Sequence, residues 1–290
     1  MLKTKGLEYE IQGDGEPVLL IHGSILADAF LPLTNEAILA DRYKLIRYHR
    51  RGFAGSDPLK GAFSIEEQAQ DALALLNVLG IQRAHVIGHS YGAVTALQLA
   101  CQAPSVVHSL VLLEPPKTTE EPESMEEFEP LIEQFSSGDV IGAVDTFMAM
   151  VGGPEWRSEV QRTVPGGPEQ AEKDAATFFD IEFPALGEWI LDKDKASRIS
   201  HPVLYLLGTE SDPMFEKAKQ AFKSIVTHTE EVLLPGINHL FMIRNPNHVA
   251  QPIADFLARH HQTPAANRRF PTREHYNRNR SPRHNAPAGK

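Results

Sequence analysis

The segment VIGHSYGA, residues 86–93, places a serine between two glycines where two different patterns meet. The residues before the serine, AHVIGH, form a short apolar run typical of a buried strand, and the residues after it, YGAVTALQLACQA, favour a helix. A strand that passes directly into a helix requires a sharp turn, and Gly88 and Gly92 permit that turn without side-chain clashes. The pattern therefore predicts that Ser90 is held in a strained conformation at the end of a strand.

The rest of the chain repeats this alternation of short apolar runs and amphipathic stretches. Seven runs are predicted to be strands: LEYEIQ, PVLLIHG, YKLIRYHRRG, AHVIGH, HSLVLLE, PVLYLLG and EEVLLPG. A capping box at Ser64 and Glu67 predicts the start of one helix, and NPNHVAQPIADFLARH predicts the last one. Strands that alternate with helices indicate the α/β class, with a mostly parallel twisted sheet flanked by helices.

The alternation stops between Glu114 and Ser200, and this predicts an inserted unit. The segment is far longer than a plain connection between two strands and carries helical patterns. We interpret residues 117–198 as a helical cap, and residues 1–116 and 199–263 as the core that it covers. Large apolar side chains are expected to form the interior of the cap: Phe147, Met148, Met150, Trp156, Phe178, Phe179 and Trp189.

Charge and composition restrict the partners of this chain. The 290 residues carry a formal net charge of −10, which disfavours nucleic acid as the main partner. Residues 264–290 differ, because they hold seven Lys or Arg and one Glu among many Pro and Asn residues; this segment is predicted to be a disordered basic tail.

The compartment is also predicted from composition. The single cysteine, Cys101, excludes an internal disulfide framework and fits a reducing environment. Neither a signal peptide nor an apolar stretch long enough to span a membrane is recognised. We therefore expect a cytoplasmic monomer or homodimer that binds a small molecule and has no membrane or nucleic-acid partner.

Ser90 is the candidate nucleophile, because a serine between two glycines at a strand-to-helix turn exposes its hydroxyl. The simpler alternative is a serine that only caps the helix. A serine hydroxyl needs a base at neutral pH, and His239 follows the last predicted strand, at the sheet edge where Ser90 lies. The backbone N–H of Tyr91 begins the helix and is placed to stabilise an oxyanion.

The order of these motifs resembles the α/β-hydrolase superfamily over roughly residues 6 to 261. The shared features are the Gly-His-Ser-Tyr-Gly turn, the earlier His22-Gly23, the segment RRGFAGSD, and the late His239. The resemblance implies that Ser90 is the nucleophile, that His239 is the general base, and that the N–H of Ser24 completes the oxyanion hole. The sequence itself contains no metal-binding or cofactor motif, so we expect neither a metal nor a cofactor.

The acid that orients His239 has three candidates. Much of the superfamily places it after the strand that follows the cap, where Glu210 and Asp212 stand. Asp212 also fits as the N-cap of the next helix, with Pro213 at the first position. Glu114 closes the run LVLL, and zearalenone lactonases and some haloalkane dehalogenases have their acid there as a Glu. A charge at that point is costly to bury unpaired, which favours Glu114.

The predicted function is that of a serine hydrolase that cleaves an ester or lactone of a small, fairly apolar molecule through an acyl-enzyme. The alternatives keep the fold and change the chemistry to carbon–carbon bond hydrolysis, a lyase or cyclase step, or perhydrolysis. A third possibility is a ligand-binding module without turnover. Reactivity of Ser90 toward a fluorophosphonate separates the last possibility from the others.

Overall fold

The computed structural model describes residues 1–116 and 128–261, which form an eight-stranded sheet with helices packed against it. The α/β class and the mostly parallel sheet predicted above are confirmed. All seven predicted strands are present, and a three-residue strand precedes them. The strands are β1 (Leu2–Thr4), β2 (Leu7–Gln12), β3 (Glu16–Ile21), β4 (Tyr43–Tyr48), β5 (Ala84–His89), β6 (Val107–Leu113), β7 (Val203–Gly208) and β8 (Thr229–Leu234).

The order of strands across the sheet is β1-β2-β4-β3-β5-β6-β7-β8. The pairs β1–β2 and β2–β4 are antiparallel, and every other neighbouring pair is parallel. The carboxyl ends of β3 to β8 therefore share one edge of the sheet, where ligands bind in open α/β folds. Strand β5 lies in the middle and is buried along its whole length.

The helices predicted for the core are present, together with three four-residue helices that were not predicted. In the core they are α1 (Leu31–Thr34), α2 (Ala37–Ala40), α3 (Ile65–Val78), α4 (Tyr91–Gln102), α11 (Pro213–Ile225), α12 (Phe241–Arg244) and α13 (Pro246–Arg259). The predicted capping box opens α3: Ser64 Oγ accepts the N–H of Glu67 at 3.2 Å, and the Glu67 carboxylate accepts the N–H of Ser64 at 2.9 Å.

The described part of the cap lies between β6 and β7. It contains α5 (Glu129–Ser136), α6 (Val140–Gly152), α7 (Trp156–Thr163), α8 (Gly167–Ala176), a π-helix (Thr177–Glu182), α9 (Phe183–Glu188) and α10 (Lys193–Ser197). The side chains predicted for the cap interior are buried or half-buried, with the exception of Met150, which is 42% exposed. Met150 lies two residues after the buried Met148 on α6 but is on the outer side of that helix, so its prediction is wrong.

Hydrogen bonds join the cap to the core. Thr177 Oγ1 donates to the carbonyl of Gly52 at 2.7 Å, and the indole of Trp189 donates to Gln98 Oε1 at 2.8 Å. The predicted beginning of the cap at 117 and the predicted basic tail at 264–290 lie outside the described residues. Within the described ranges, no helix is both long and apolar enough to cross a membrane.

Candidate active site

Ser90 lies on the sharp turn between β5 and α4. Its backbone has φ 52° and ψ −123°, a left-handed conformation that is uncommon for a residue with a side chain. A Cβ on Gly88 would collide with the backbone of Gly92 and Ala93, and a Cβ on Gly92 would collide with the carbonyl of Ile21. The turn therefore depends on both glycines, as the sequence predicts.

His239 donates its Nδ1–H to Glu114 Oε2 at 2.6 Å. Glu114 follows the last residue of β6, and His239 lies in the loop between β8 and α12. The other carboxylate oxygen of Glu114 accepts the backbone N–H of Gly208, at the end of β7, at 2.8 Å. The carboxylate is fully buried, and its two oxygens are held from two directions, so it fixes the orientation of the imidazole.

Burial shifts the proton equilibria of this pair. It raises the pKa of the Glu114 carboxyl above its usual value, against the opposing effects of the Ser211 hydroxyl and the Gly208 N–H. Burial also lowers the pKa of His239 below its usual value. Because burial disfavours the imidazolium, the imidazole is neutral at neutral pH, and its Nε2 can accept a proton when Nδ1 carries the hydrogen that bonds to Glu114.

Two rings hold the imidazole of His239 in place. Phe215 stacks on it with ring centroids 4.2 Å apart and planes 14° apart. On another side lies His89, the residue before Ser90, at a centroid distance of 4.5 Å. His89 Nε2–H also donates to the carbonyl of His239 at 3.0 Å, which ties the loop of the candidate base to the turn that carries the candidate nucleophile.

The other two acid candidates lie elsewhere. Asp212 Oδ1 accepts the N–H of Met214 at 2.9 Å and caps α11, which is the local role that its sequence context favours. Glu210 is exposed. Of the three carboxylates considered from the sequence, Glu114 is the one that is hydrogen-bonded to His239 in the structure.

The two predicted oxyanion donors flank Ser90. Tyr91 is the first residue of α4, so its N–H lies at the positive end of that helix. Ser24 follows Gly23 in the loop after β3. A Cβ on Gly23 would lie 3.1 Å from Ser90 Cβ, so a side chain there would be crowded against the serine, and glycine suits this close approach of the loop. This loop is called the oxyanion loop below and comprises residues 22–26.

Two buried charges at this site were given no role by the sequence analysis. Arg50 follows β4 within the segment RRGFAGSD, and Glu182 ends the π-helix of the cap. They form an ion pair in which both side chains are almost fully buried. Their separation of 132 positions hides the pairing from any local pattern. The available sequence signal for Glu182 is its position in the strongly aromatic stretch FFDIEFP, where a charged side chain is unexpected.

In residues 1–116 and 128–261, no three side chains of the His, Cys, Asp or Glu type are grouped so that they could hold an ion. The chemistry available at the sheet edge is that of the serine, the imidazole, the carboxylate and the backbone N–H groups.

Comparison with known proteins gives a consistent assignment. Residues 16–246 match the model of the family described as alpha/beta hydrolase fold. A putative carbamate hydrolase RutD of Azorhizobium caulinodans is 38% identical over 107 residues, which is 37% of this chain and 40% of that protein. The chain thus matches about two fifths of the length of that relative.

Solved structures resemble the chain over most of its length. A thermophilic esterase from Thermogutta terrifontis has a TM-score of 0.71 and 23% identity, and the alignment covers 88% of this chain and 94% of that one. Est816, described as an N-acyl homoserine lactone degrading enzyme, has a TM-score of 0.69 and 20% identity, with coverage of 88% and 98%. At these identities the similarity concerns the fold.

Proposed function

Because the chain belongs to the α/β-hydrolase fold family, we propose that it is a serine hydrolase that cleaves an ester or lactone of a small, fairly apolar molecule. The observation that carries this proposal is the 2.6 Å hydrogen bond between His239 and Glu114, next to the strained turn that holds Ser90. A nucleophile, a neutral base and a buried acid are the three groups that acyl transfer through serine requires.

The reaction proceeds in two halves. Ser90 Oγ attacks the carbonyl carbon while His239 Nε2 takes the hydroxyl proton, and Glu114 stabilises the imidazolium that forms. The N–H groups of Tyr91 and Ser24 hold the oxyanion, and one such donor typically contributes about 3 kcal/mol to lowering the barrier. His239 returns the proton to the leaving alcohol, and water then cleaves the acyl-enzyme by the same steps.

The proposed substrate class rests on the cap and on the relatives. The described cap interior is rich in phenylalanine, with ring contacts between Phe147 and Phe178 at 4.6 Å and between Phe128 and Phe183 at 5.3 Å. The buried charge of Arg50 is balanced by Glu182, which favours a neutral substrate over an ionic one. The esterase and the lactone-degrading enzyme named above support an ester or lactone, and the carbamate hydrolase suggests a related acyl group.

The first test measures hydrolysis of p-nitrophenyl esters of graded chain length, with one p-nitrophenyl carbamate. We expect the wild type to turn over the esters and Ser90→Ala to be inactive. Glu114→Gln keeps the size of the side chain and removes its charge, so kcat should fall about 100- to 10,000-fold.

Asp212→Asn is the matched control, because it makes the same carboxylate-to-amide change at the competing acid, and asparagine still caps a helix. Its kcat should stay within about threefold of the wild type. If kcat falls as much in Asp212→Asn as in Glu114→Gln, the assignment of Glu114 as the acid is wrong. A wild type inert to every ester and the carbamate would favour carbon–carbon, lyase, cyclase or perhydrolase chemistry, or a binding role.

A further inference from the structure

The peptide group between Gly23 and Ser24 is fixed in place by hydrogen bonds to its carbonyl oxygen. That oxygen accepts two hydrogen bonds, from Arg50 Nη2 at 2.8 Å and from His22 Nδ1 at 2.7 Å. In a trans peptide the N–H points away from the carbonyl, so the donors that fix the Gly23 oxygen also fix the direction of the Ser24 N–H. Hydrogen bonds to a carbonyl also polarise the amide on its other side.

Arg50 is itself immobilised in the core. It is 1% exposed, and its Nε donates to the carbonyl of His22 at 2.9 Å while Nη1 donates to Gln68 Oε1 at 2.6 Å. Its guanidinium lies 4.8 Å from the ring centroids of both Phe53 and Tyr91. The fixed planar fork of arginine suits it to hold two successive carbonyls of one loop.

Glu182 joins this arrangement from the cap. Its carboxylate is fully buried; one oxygen accepts from Arg50 Nη1, and the other accepts the hydroxyl of Ser24 at 2.6 Å. A single cap residue therefore contacts both the clamp on the Gly23–Ser24 peptide and the side chain of Ser24. It ends a π-helix, a departure from α-helical geometry that often marks functional positions.

The oxyanion loop has a conformation that needs such support. Ile25, directly after Ser24, has φ 67°, which is strained for a β-branched residue. The N–H of Leu26 bonds to the carbonyl of Ser24 at 2.7 Å, which closes the loop into a tight turn. Strain of this kind persists where surrounding contacts determine the backbone, and Arg50 and Glu182 supply those contacts.

We propose that Glu182 is a positioning residue of the oxyanion hole, which acts through Arg50 and the Ser24 hydroxyl to aim the Ser24 N–H. The inference rests on the proposed function, because it takes that N–H as an oxyanion donor. It adds that the cap, besides covering the site, completes the electrostatic machinery. A molecule whose cap is not docked has a nucleophile and a base but an unaligned oxyanion hole.

The test compares Glu182→Gln with Asp174→Asn. Both substitutions replace a cap carboxylate that contacts the core by the amide of the same size. Asp174, on α8, accepts the N–H of Ala54 at 3.1 Å and contacts neither Arg50 nor the oxyanion loop. We expect kcat/KM for a p-nitrophenyl ester to fall 10- to 100-fold in Glu182→Gln, mainly through kcat, and to stay within about threefold in Asp174→Asn.

A trifluoromethyl ketone distinguishes positioning from a general loss of structure. The serine oxygen adds to the ketone carbon to give a tetrahedral oxyanion. The inhibition constant of this ketone should therefore rise in Glu182→Gln by the same factor as kcat/KM falls. Fluorophosphonate titration measures the fraction of molecules whose serine can react. We expect this fraction to be the same in Glu182→Gln as in the wild type. A reduced fraction of sites with an unchanged inhibition constant would overturn the proposal, as would kcat/KM within twofold of the wild type.

Ser24→Ala provides a milder change, since it removes one hydroxyl and keeps the backbone N–H. Because Ser24 and Glu182 act on the same peptide, the double variant should lose less than the product of the two single losses. Fully multiplicative losses would contradict the shared role.

Hydrogen exchange gives a readout that does not require turnover. Backbone amides in peptides covering residues 22–30 should exchange faster in Glu182→Gln than in the wild type or in Asp174→Asn. Unchanged protection would overturn the proposal even in a fully active enzyme. Faster exchange in a protein that hydrolyses no ester would retain the positioning role and reject the proposed function.

Discussion

Three residues around the candidate site share an unusual backbone conformation. Ser90, Glu114 and Ile25 have φ values of 52°, 44° and 67°; the first two directly follow a strand, and Ile25 lies in the loop after β3. Such conformations cost about 1–3 kcal/mol each and tend to occur where function needs a side chain or an N–H in an otherwise unfavourable direction. Here they aim the candidate nucleophile, the candidate acid and the loop of the second oxyanion donor.

The turn at Ser90 gives a prediction at this scale. In Gly92→Ala the new methyl group meets the carbonyls of Ile21 and His22, so the turn must shift or the protein must lose stability. We expect the free energy of unfolding to fall by about 2 kcal/mol or more, together with loss of fluorophosphonate labelling. Gly187, also helical, has open space around its Cβ position, so Gly187→Ala should leave both unchanged or raise stability slightly. Similar results for the two variants in urea unfolding would contradict this explanation.

Residue-scale prediction from the sequence succeeded where the signal was local. The strained turn at Ser90 follows from its two flanking glycines and is confirmed. The choice between Glu114 and Asp212 stayed open because the deciding partner, His239, lies 125 positions from Glu114. The pair of Arg50 and Glu182 was missed for the same reason, since its chemistry exists only after the cap has docked.

At the scale of elements, α11 connects its N-cap residue, Asp212, to the candidate base, His239. Asp212 caps this helix, and Phe215, in its first turn, stacks on His239. A fraying helix start would loosen that ring and, with it, the imidazole. Asp212 makes no hydrogen bond to His239, but it affects the placement of the imidazole through the first turn of α11.

This link predicts that alanine and asparagine at position 212 differ. Asp212→Ala removes the cap and should cost about 1 kcal/mol of stability, with a several-fold loss of kcat, whereas Asp212→Asn preserves both. Thermal unfolding and ester hydrolysis measured on the same two preparations check this. Equal kcat for the two variants would remove the connection between α11 and the imidazole.

The sequence predicted long elements better than short ones. Seven strands were recognised because each is a buried or alternating apolar run, and β1, of three residues, is too short to show a period. The four-residue helices α1, α2 and α12 were missed for the same reason. The π-helix was also missed, and its last residue, Glu182, forms an ion pair with Arg50, which is distant in the sequence.

At the scale of the whole molecule, two histidines at the opposite edge of the sheet, one of them fully buried, contribute to the response to acid. His85 is fully buried at the start of β5, where its ring bonds to Ser109 and Glu16 and lies 4.8 Å from the ring of His108. Burial lowers the pKa of His85 to about 4, and it also lowers that of His108. Unfolding restores the ordinary value, so the unfolded chain binds more protons below about pH 6.5.

The stability contributed by a neutral His85 is therefore complete above pH 6.5 and is lost as the pH falls toward 4. At pH 4.5 one such group destabilises the fold by about 2 to 3 kcal/mol relative to pH 7.5. His85→Asn should reduce the difference in unfolding free energy between these two pH values by about that amount, as measured by urea titration. The same substitution at the exposed His248 should leave the difference unaltered, and an unaltered difference in His85→Asn would show that acid acts elsewhere.

The candidate site draws its parts from positions between 24 and 239 of the chain, and the last of them follows β8 at the end of the sheet. A chain emerging from the ribosome thus carries its serine long before it carries its base. Under the proposed function, the nascent chain has no hydrolase activity until β8 has paired with β7 and His239 has reached Glu114. Recovery of turnover after refolding would then report the formation of the contact between Glu114 and His239, which lie 125 positions apart in the chain.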